Sequence, residues 1–529
     1  MVELRSIRWS GYVILVGLIV TGVLLALLTN SLPPILLATL AVLVVAPWYL
    51  SIRQGRLDFF EPVIFHSIFA GMLLIALAEQ FYLVDGPFKW EVIRYTRETG
   101  LLIAGTAFAS VLVATLIGYY VVGPMLANRK GIQQNTVIRA INHTDSASGR
   151  LFRLIGGGYL LLGFAFFAVI VFTVFPPGEI LYLFSSTEAR SQLFAEVGIL
   201  TFGARTVYLG YFLWLCGSLV DGRTPSIVEL AVVLPVTAVP FLLGNRSQAM
   251  SVIIVTIILV YYSTTKDVIH ASDGFLSRWS DRLPPWIMYL SVPFLGLLIA
   301  PVIVVAGSLR HDRSLSETIT QIDPVAILTA GVHNDVFENF LALITIVPDQ
   351  LDFYYGTFYF KPIINFIPRA LWPEKPPATT GGVLYRELGG TSGGRPPGAM
   401  GDYFLNFGPT GLLVLGLIYG TFLYYVYHVL VRNGNTSPLA IVIFGILLTT
   451  VGIDGLTVNM LIEVFEELLL ITPALIALVV IPRDNLLLNI VRDQSIFIRS
   501  IITLKERLRV AVKHSQFVRL RKHARENNK

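Results

Sequence analysis

Long apolar runs separated by short polar breaks organise this chain, and they set the first expectation. A helix that crosses a hydrocarbon layer needs roughly 20 mostly apolar residues. Stretches near 11–29, 32–50, 62–81, 100–123, 152–174, 197–219, 226–243, 247–264, 286–306, 411–431, 437–454 and 463–481 meet that condition. They predict an all-α polytopic membrane protein of about 12 transmembrane helices. The first run lacks a small-residue cleavage site after a short apolar core, so it reads as a retained span. Only "GNR" separates 226–243 from 247–264, and Asp454, Glu463, Glu466 and Glu467 crowd the end shared by the last two runs. Arg205 sits a third of the way into its run. An ionised group there calls for a partner such as Asp454 or Glu466, or for a cavity to line.

Composition agrees with the pattern. Of 529 residues, 54% are hydrophobic and 14% charged, against about 25% charged in an average soluble protein. Cys216 is the single cysteine, which excludes an intrachain disulfide and a cysteine-rich metal site. The placement of charge is more informative than its net value of +5. With 12 spans, one set of loops and ends holds 25 Lys and Arg and the opposite set holds 12. Positive residues favour the cytoplasm, so both termini are expected inside and segment 307–410 outside. That segment holds seven of the 12 outer cations, which long translocated loops tolerate. The organisation is therefore 1–306 with nine spans, an external segment 307–410, three spans in 411–481, and a basic tail 482–529. The tail reads as an amphipathic helix on the anionic inner leaflet. Membrane lipid, rather than nucleic acid, is its expected partner because it follows directly from a span.

The external segment carries the candidate chemistry. "FYYGTFYFKPIINFIPRALWPEKPP" runs from Phe353 to Pro377. Pro368, Pro373, Pro376 and Pro377 forbid a continuous helix, and the glycines at 381, 382, 389, 390, 393 and 394 permit tight backbone. Short helices and loops over a cavity are expected. Guanidinium groups match phosphate, and aromatic faces suit sugar rings. Arg246, Arg369, Arg386 and Arg395 together suit a diphosphate at the membrane surface. Blander roles stand beside these: Arg369 as a snorkelling anchor, Trp372 as an interface anchor, Asp402 as a backbone cap near Gly401.

"YYGTFYF", "FIPRALWPEKPP" and "GAMGDYFLNFGPTG" resemble the Wzy-type oligosaccharide repeat unit polymerases of bacteria, a group related to the O-antigen ligases. "LLGNRSQAM" looks like that group's "GSRG" signature, with Arg246 matching its arginine, Asn245 in place of the serine and Ser247 in place of the glycine. The resemblance covers 241–264 and 351–420. It implies a helical membrane glycosyltransferase architecture of the GT-C type, working at the outer face of the cytoplasmic (inner) membrane. The implied substrate is an oligosaccharide unit on undecaprenyl diphosphate, with no nucleotide sugar, cofactor or metal, and a chain-length regulator in the same membrane is an implied partner. Such chemistry asks for cations on the leaving diphosphate, met by Arg246, Arg369 and Arg395 with Lys375 and Arg386. It also asks for a base on the acceptor hydroxyl, for which His333, Asp335, Glu338 and Asp402 lie on the correct side. Arg205, Tyr355, Trp372 and Tyr403 are the candidate cavity residues.

Other functions compete. A ligase that passes a finished glycan from the same lipid needs the same diphosphate site. A lipid-linked sugar transporter or flippase would favour inverted repeats and broken helices at mid-membrane. A scaffold for envelope assembly would not need arginines beside prolines at an outer rim.

Overall fold

The computed structural model describes residues 31–54, 57–127, 149–173, 200–243, 245–264, 335–365, 372, 379–389, 396–432 and 436–480. The expected spans 11–29 and 286–306 and the tail 482–529 lie outside these. Among the described residues all regular structure is helical. In chain order the helices are α1 (Pro33–Arg53), α2 (Pro62–Tyr82), α3 (Arg97–Ala127), α4 (Gly149–Thr173), α5 (Thr206–Val220), α6 (Ile227–Leu242) and α7 (Arg246–Thr264). There follow α8 (Val336–Ile346), α9 (Lys361–Asn365), α10 (Thr380–Glu387), α11 (Gly398–Arg432), α12 (Pro438–Asp454) and α13 (Val458–Val480). Six of them, α1, α2, α3, α4, α7 and α11, are long and apolar enough to cross a membrane.

Helix starts follow local chemistry. Pro33, Pro62 and Pro438 open α1, α2 and α12, where a missing N–H costs nothing. The side chains of Thr96, Ser226, Thr379 and Ser437 each accept a first-turn N–H, and Glu229 completes a capping box with Ser226.

Two glycine seams bring helices close. On α4, Gly149, Gly156 and Gly163 recur every seven residues; on the other side stand Gly203, just before α5, and Gly210 and Gly217 on it. The helices run antiparallel. A methyl group on Gly156 would stand 2.6 Å from the Gly210 carbonyl oxygen, and one on Gly217 2.6 Å from that of Gly149. Without a hydrophobic force between helices in lipid, such backbone approach is the main source of association. Arg153 closes the seam, pairing with Asp221 at 2.5 Å. The second seam joins α3 to α11. Gly416 of α11 fits against Val111 and Ala114, and Gly420 against the Thr115 carbonyl. Within α3 a π turn over Gly118–Val122 lets the Gly123 N–H reach the Gly118 carbonyl. Both glycines meet α11, Gly118 at Leu417 and Gly123 at the Tyr424 ring.

One end of the bundle is closed by carboxylates in the α1–α2 connection. Tyr262 of α7 and Tyr427 of α11 both donate to Asp58 Oδ2, at 2.7 and 2.8 Å. Tyr119 of α3 donates to Glu61 Oε1 at 2.8 Å. Burial pushes the Asp58 and Glu61 carboxyls upward, against the pull of these hydroxyls. At the opposite end, α8, α9 and α10 pack on α3, α11 and α13.

Gly210→Leu is expected to destabilise the protein by at least about 1–3 kcal/mol through overpacking, read as a lower melting temperature in detergent. Gly158→Leu, at a glycine with nothing within 4 Å, is expected to melt like wild type. Asp58 offers a pH test. Its folded carboxyl keeps its proton to a higher pH than the unfolded value of 3.8. The fold therefore binds more protons above pH 3.8 and loses stability as pH rises toward the folded value. Melts across that range should show Asp58→Asn with a flatter slope than wild type.

Candidate functional site

The sequence candidates fall into two groups that α13 connects. The first is a rim. Asp335 is half-exposed and ion-pairs with Lys89 at 3.0 Å. Glu338, buried in the first turn of α8, accepts the Lys89 backbone N–H at 3.1 Å and faces Arg97 at 3.6 Å. Its neighbour Asn339 takes the Trp90 indole N–H at 2.9 Å and donates to the Pro396 carbonyl at 3.2 Å. These contacts seat α8 against the 80–97 region, so both carboxylates are engaged in holding the rim together.

Asp402 and Tyr403 hold the start of α13. Asp402 Oδ2 accepts the Val458 N–H at 2.8 Å, at the helix end where the dipole favours a negative charge. Tyr403, fully buried, accepts the Leu456 N–H on its hydroxyl at 3.0 Å. Gly455, at φ 87°, makes the intervening turn in a left-handed conformation that favours glycine. Five residues on, "FGPTG" breaks α11: Phe407 and Gly408 leave helical geometry, Gly408 at φ 63°.

Among the described rim cations, Lys361 is the one that the fold buries. Its amine sits 3.3 Å from the Phe358 ring centroid and 5.5 Å from that of Tyr354. Burial pushes it down to about 7, with Asp402 opposing and Arg386 adding to the shift. Arg386 is exposed on the last turn of α10, within electrostatic reach of Lys361. Trp372 is exposed. Tyr355 is exposed as well, with a left-handed φ of 46°, a backbone strain for a non-glycine residue. His333, Arg369, Lys375 and Arg395 lie outside the described residues.

The second group lies deeper along α13. Arg205 Nη1 pairs with Glu466 Oε2 at 2.5 Å, one of the two partners its position called for. Glu463 and Glu467 are also close enough to act on its charge. Tyr208, one turn along α5, donates its hydroxyl to Glu467 Oε1 at 3.0 Å. The "GNR" segment arrives at the same place. Asn245 Oδ1 accepts the Gln248 N–H at 3.3 Å and so caps α7, and Arg246 is the first residue of that helix. With its amide oxygen turned to the guanidinium, Gln248 accepts from Arg205 Nη1 and Nε at 3.2 Å.

Two adjoining cavities flank this cluster. One, of about 20 Å³, is lined by Thr201, Arg205, Tyr208, Asn245 and Gln248 with apolar walls. The other, of about 10 Å³, is lined by Tyr208, Gln248, Ser251, Thr449 and Glu467 among others, so each has room for little more than a water. Tyr208 and Gln248 belong to both. Among the described residues no three His, Cys, Asp or Glu side chains converge as metal ligands. Lys361, Tyr208, Gln248 and Glu467 were not singled out as site residues by sequence. The signal for Glu467 was present: three carboxylates within one apolar run, and an arginine within another, have to meet.

No family model, curated protein or solved structure matches this chain.

Arg205→Met strands Glu466 without its partner and is expected to destabilise the protein by about 3–5 kcal/mol. Glu466→Gln in the same chain should recover part of this, a coupling of about 0.5–3 kcal/mol read from denaturation of the single and double variants.

Proposed function

We propose that this protein polymerises oligosaccharide repeat units carried on undecaprenyl diphosphate, as a metal-independent membrane glycosyltransferase. In this reading about 12 helices in a GT-C-like arrangement cross the bacterial cytoplasmic membrane, both termini lie inside, and segment 307–410 faces outward. The growing glycan moves from its carrier to the next lipid-linked unit, and undecaprenyl diphosphate leaves.

One observation carries the proposal. The two stretches that resemble the polymerases, 241–264 and 351–420, converge on α13. Asp402 and Tyr403 fix its start, α9 with Lys361 packs along it, and the Asn245–Gln248 turn meets its glutamates through Arg205. The helix therefore joins a cationic, aromatic rim to a carboxylate cluster beside two cavities. Rim cations suit the developing charge of a leaving diphosphate: Lys361 and Arg386 stand on the described rim, Arg369, Lys375 and Arg395 are the further candidates of the sequence, and Arg246 opens α7 at the deeper cluster. The deeper cluster, with more carboxylates than cations, suits proton transfer rather than phosphate binding. Carboxylates paired with arginine inside a membrane bundle also occur in proton-coupled transporters, which keeps a lipid-linked sugar transporter as the second reading.

The test is deletion of the gene in its host, electrophoresis of the surface glycan, and complementation with wild type or Arg369→Ala. Polymerisation predicts collapse of the ladder to single repeat units in the deletion, and in Arg369→Ala at normal protein levels. Long chains left on the carrier lipid point to a ligase. An unchanged surface glycan overturns both enzyme readings.

A further inference from the structure

Glu467 differs from the other carboxylates near α13. Glu338 accepts the Lys89 N–H and faces Arg97, Asp402 accepts the Val458 N–H, and Glu466 is paired with Arg205. Glu467 is 7% exposed. Its Oε1 takes the Tyr208 hydroxyl, while Oε2 has no hydrogen-bond partner among the described residues. A buried polar atom in this state calls for an explanation. Glu467 lines the smaller cavity together with Tyr208, Ser251 and Thr449. The three hydroxyl protons are committed elsewhere: Tyr208 donates to Glu467 Oε1, Ser251 to the Ser247 carbonyl and Thr449 to the Gly445 carbonyl. Each of these oxygens keeps a lone pair and has no proton left to give. The polar wall therefore holds four acceptor oxygens, Glu467 Oε2 among them, against one amide, that of Gln248.

Charge points the same way. Arg205, just before α5, and Glu463 and Glu466 on α13 act on Glu467 electrostatically. Tyr208 is its other titratable neighbour, and the cavity walls from α7 and α12 bring none. Three carboxylates thus share one guanidinium, and Glu466 holds it. An ionised carboxylate buried in an apolar bundle needs a countercharge. Size limits what can supply it. A cavity of about 10 Å³ takes one particle no larger than a water, which rules out a sugar, a phosphate or an ion with its hydration shell.

We infer that this cavity binds one small monovalent cation, a proton or Na+, on Glu467 Oε2. The shared chemistry is a single positive charge that needs acceptor oxygens and little room. A proton sits on Oε2 and is donated to one water, whose own protons go to Ser251 Oγ and Thr449 Oγ1. Na+ takes the place of that water among the same oxygens. Cation binding here is independent of the polymerase reading and stands or falls separately from it.

The experiment uses the full-length protein in lipid nanodiscs. Dicyclohexylcarbodiimide, which attacks protonated carboxyls in apolar surroundings, is applied across a pH series, with NaCl or an equal concentration of choline chloride. Mass spectrometry locates the adduct. Labelling of Glu467 is expected, falling as pH rises. A further fall of about tenfold when NaCl reaches ten times its dissociation constant identifies Na+; labelling that follows pH and ignores NaCl identifies the proton. Thr449→Val removes one of the acceptor oxygens. It is expected to weaken the site by about tenfold, read as a labelling midpoint about one pH unit lower or as about tenfold more NaCl needed for protection. Ser251→Ala is read in the same way should Thr449→Val not fold. No labelling of Glu467 at any pH, or labelling that follows neither pH nor NaCl, leaves only a bound water and overturns the site. A folded Thr449→Val or Ser251→Ala protein that labels like wild type overturns its placement in this cavity.

Discussion

An arginine inside an apolar helix bundle has to be neutralised where it stands, and the Arg205–Glu466 pair does this across 261 residues of chain. An isolated charge at that depth costs several kcal/mol, and the pair offsets this only if its geometry is fixed. Much of the surrounding architecture supplies that geometry. The glycine seam between α4 and α5 sets the position of the helix that follows Arg205. Asp402 and Tyr403 hold the first residues of the helix that carries Glu466. The Asn245 cap brings Gln248 to the guanidinium. Three elements distant in sequence are thus tied to one ion pair, and a shift in any of them would leave a charge exposed to hydrocarbon.

The rim and the deeper cluster divide the electrostatics between them. Lys361 and Arg386 stand together at the end of the bundle where α13 begins, and Glu463, Glu466 and Glu467 stand further in. Glu467 lies nine residues beyond Val458, or roughly 14 Å along the helix axis at 1.5 Å per residue. The cations of the rim and the carboxylates of the deeper cluster are therefore kept apart along a single rigid element. The Asp402 carboxylate sits at the boundary, accepting the Val458 N–H at the start of α13.

Hydropathy marked most of the described helices within a few residues, because burial in lipid leaves a long and unambiguous signal. It also named Glu466 among two partners for Arg205, since opposite charges inside apolar runs have few places to go. What it missed depends on contacts between distant segments. Asp402 looked like a local cap near Gly401; it accepts from Val458, 56 residues away. Glu338 looked available as a base, and its engagement with Lys89 and Arg97 is invisible until α8 is folded against the 80–97 region. The sevenfold spacing of Gly149, Gly156 and Gly163 against Gly203, Gly210 and Gly217 was there to be read. Its meaning requires knowing that the two runs are neighbours. The cavities follow from packing and have no linear signature.

The π turn in α3 has a consequence for how this chain lines up with any other. Gly118 and Gly123 both contact α11, although five α-helical steps would leave them roughly 140° apart around the axis. The wider turn absorbs one surplus residue and restores a shared face. In an alignment that residue would appear as an insertion in the middle of a span, where a gap is normally penalised. Its place would be legible only as a change in phase: small residues that keep time with α11 before position 118 fall one step late after it.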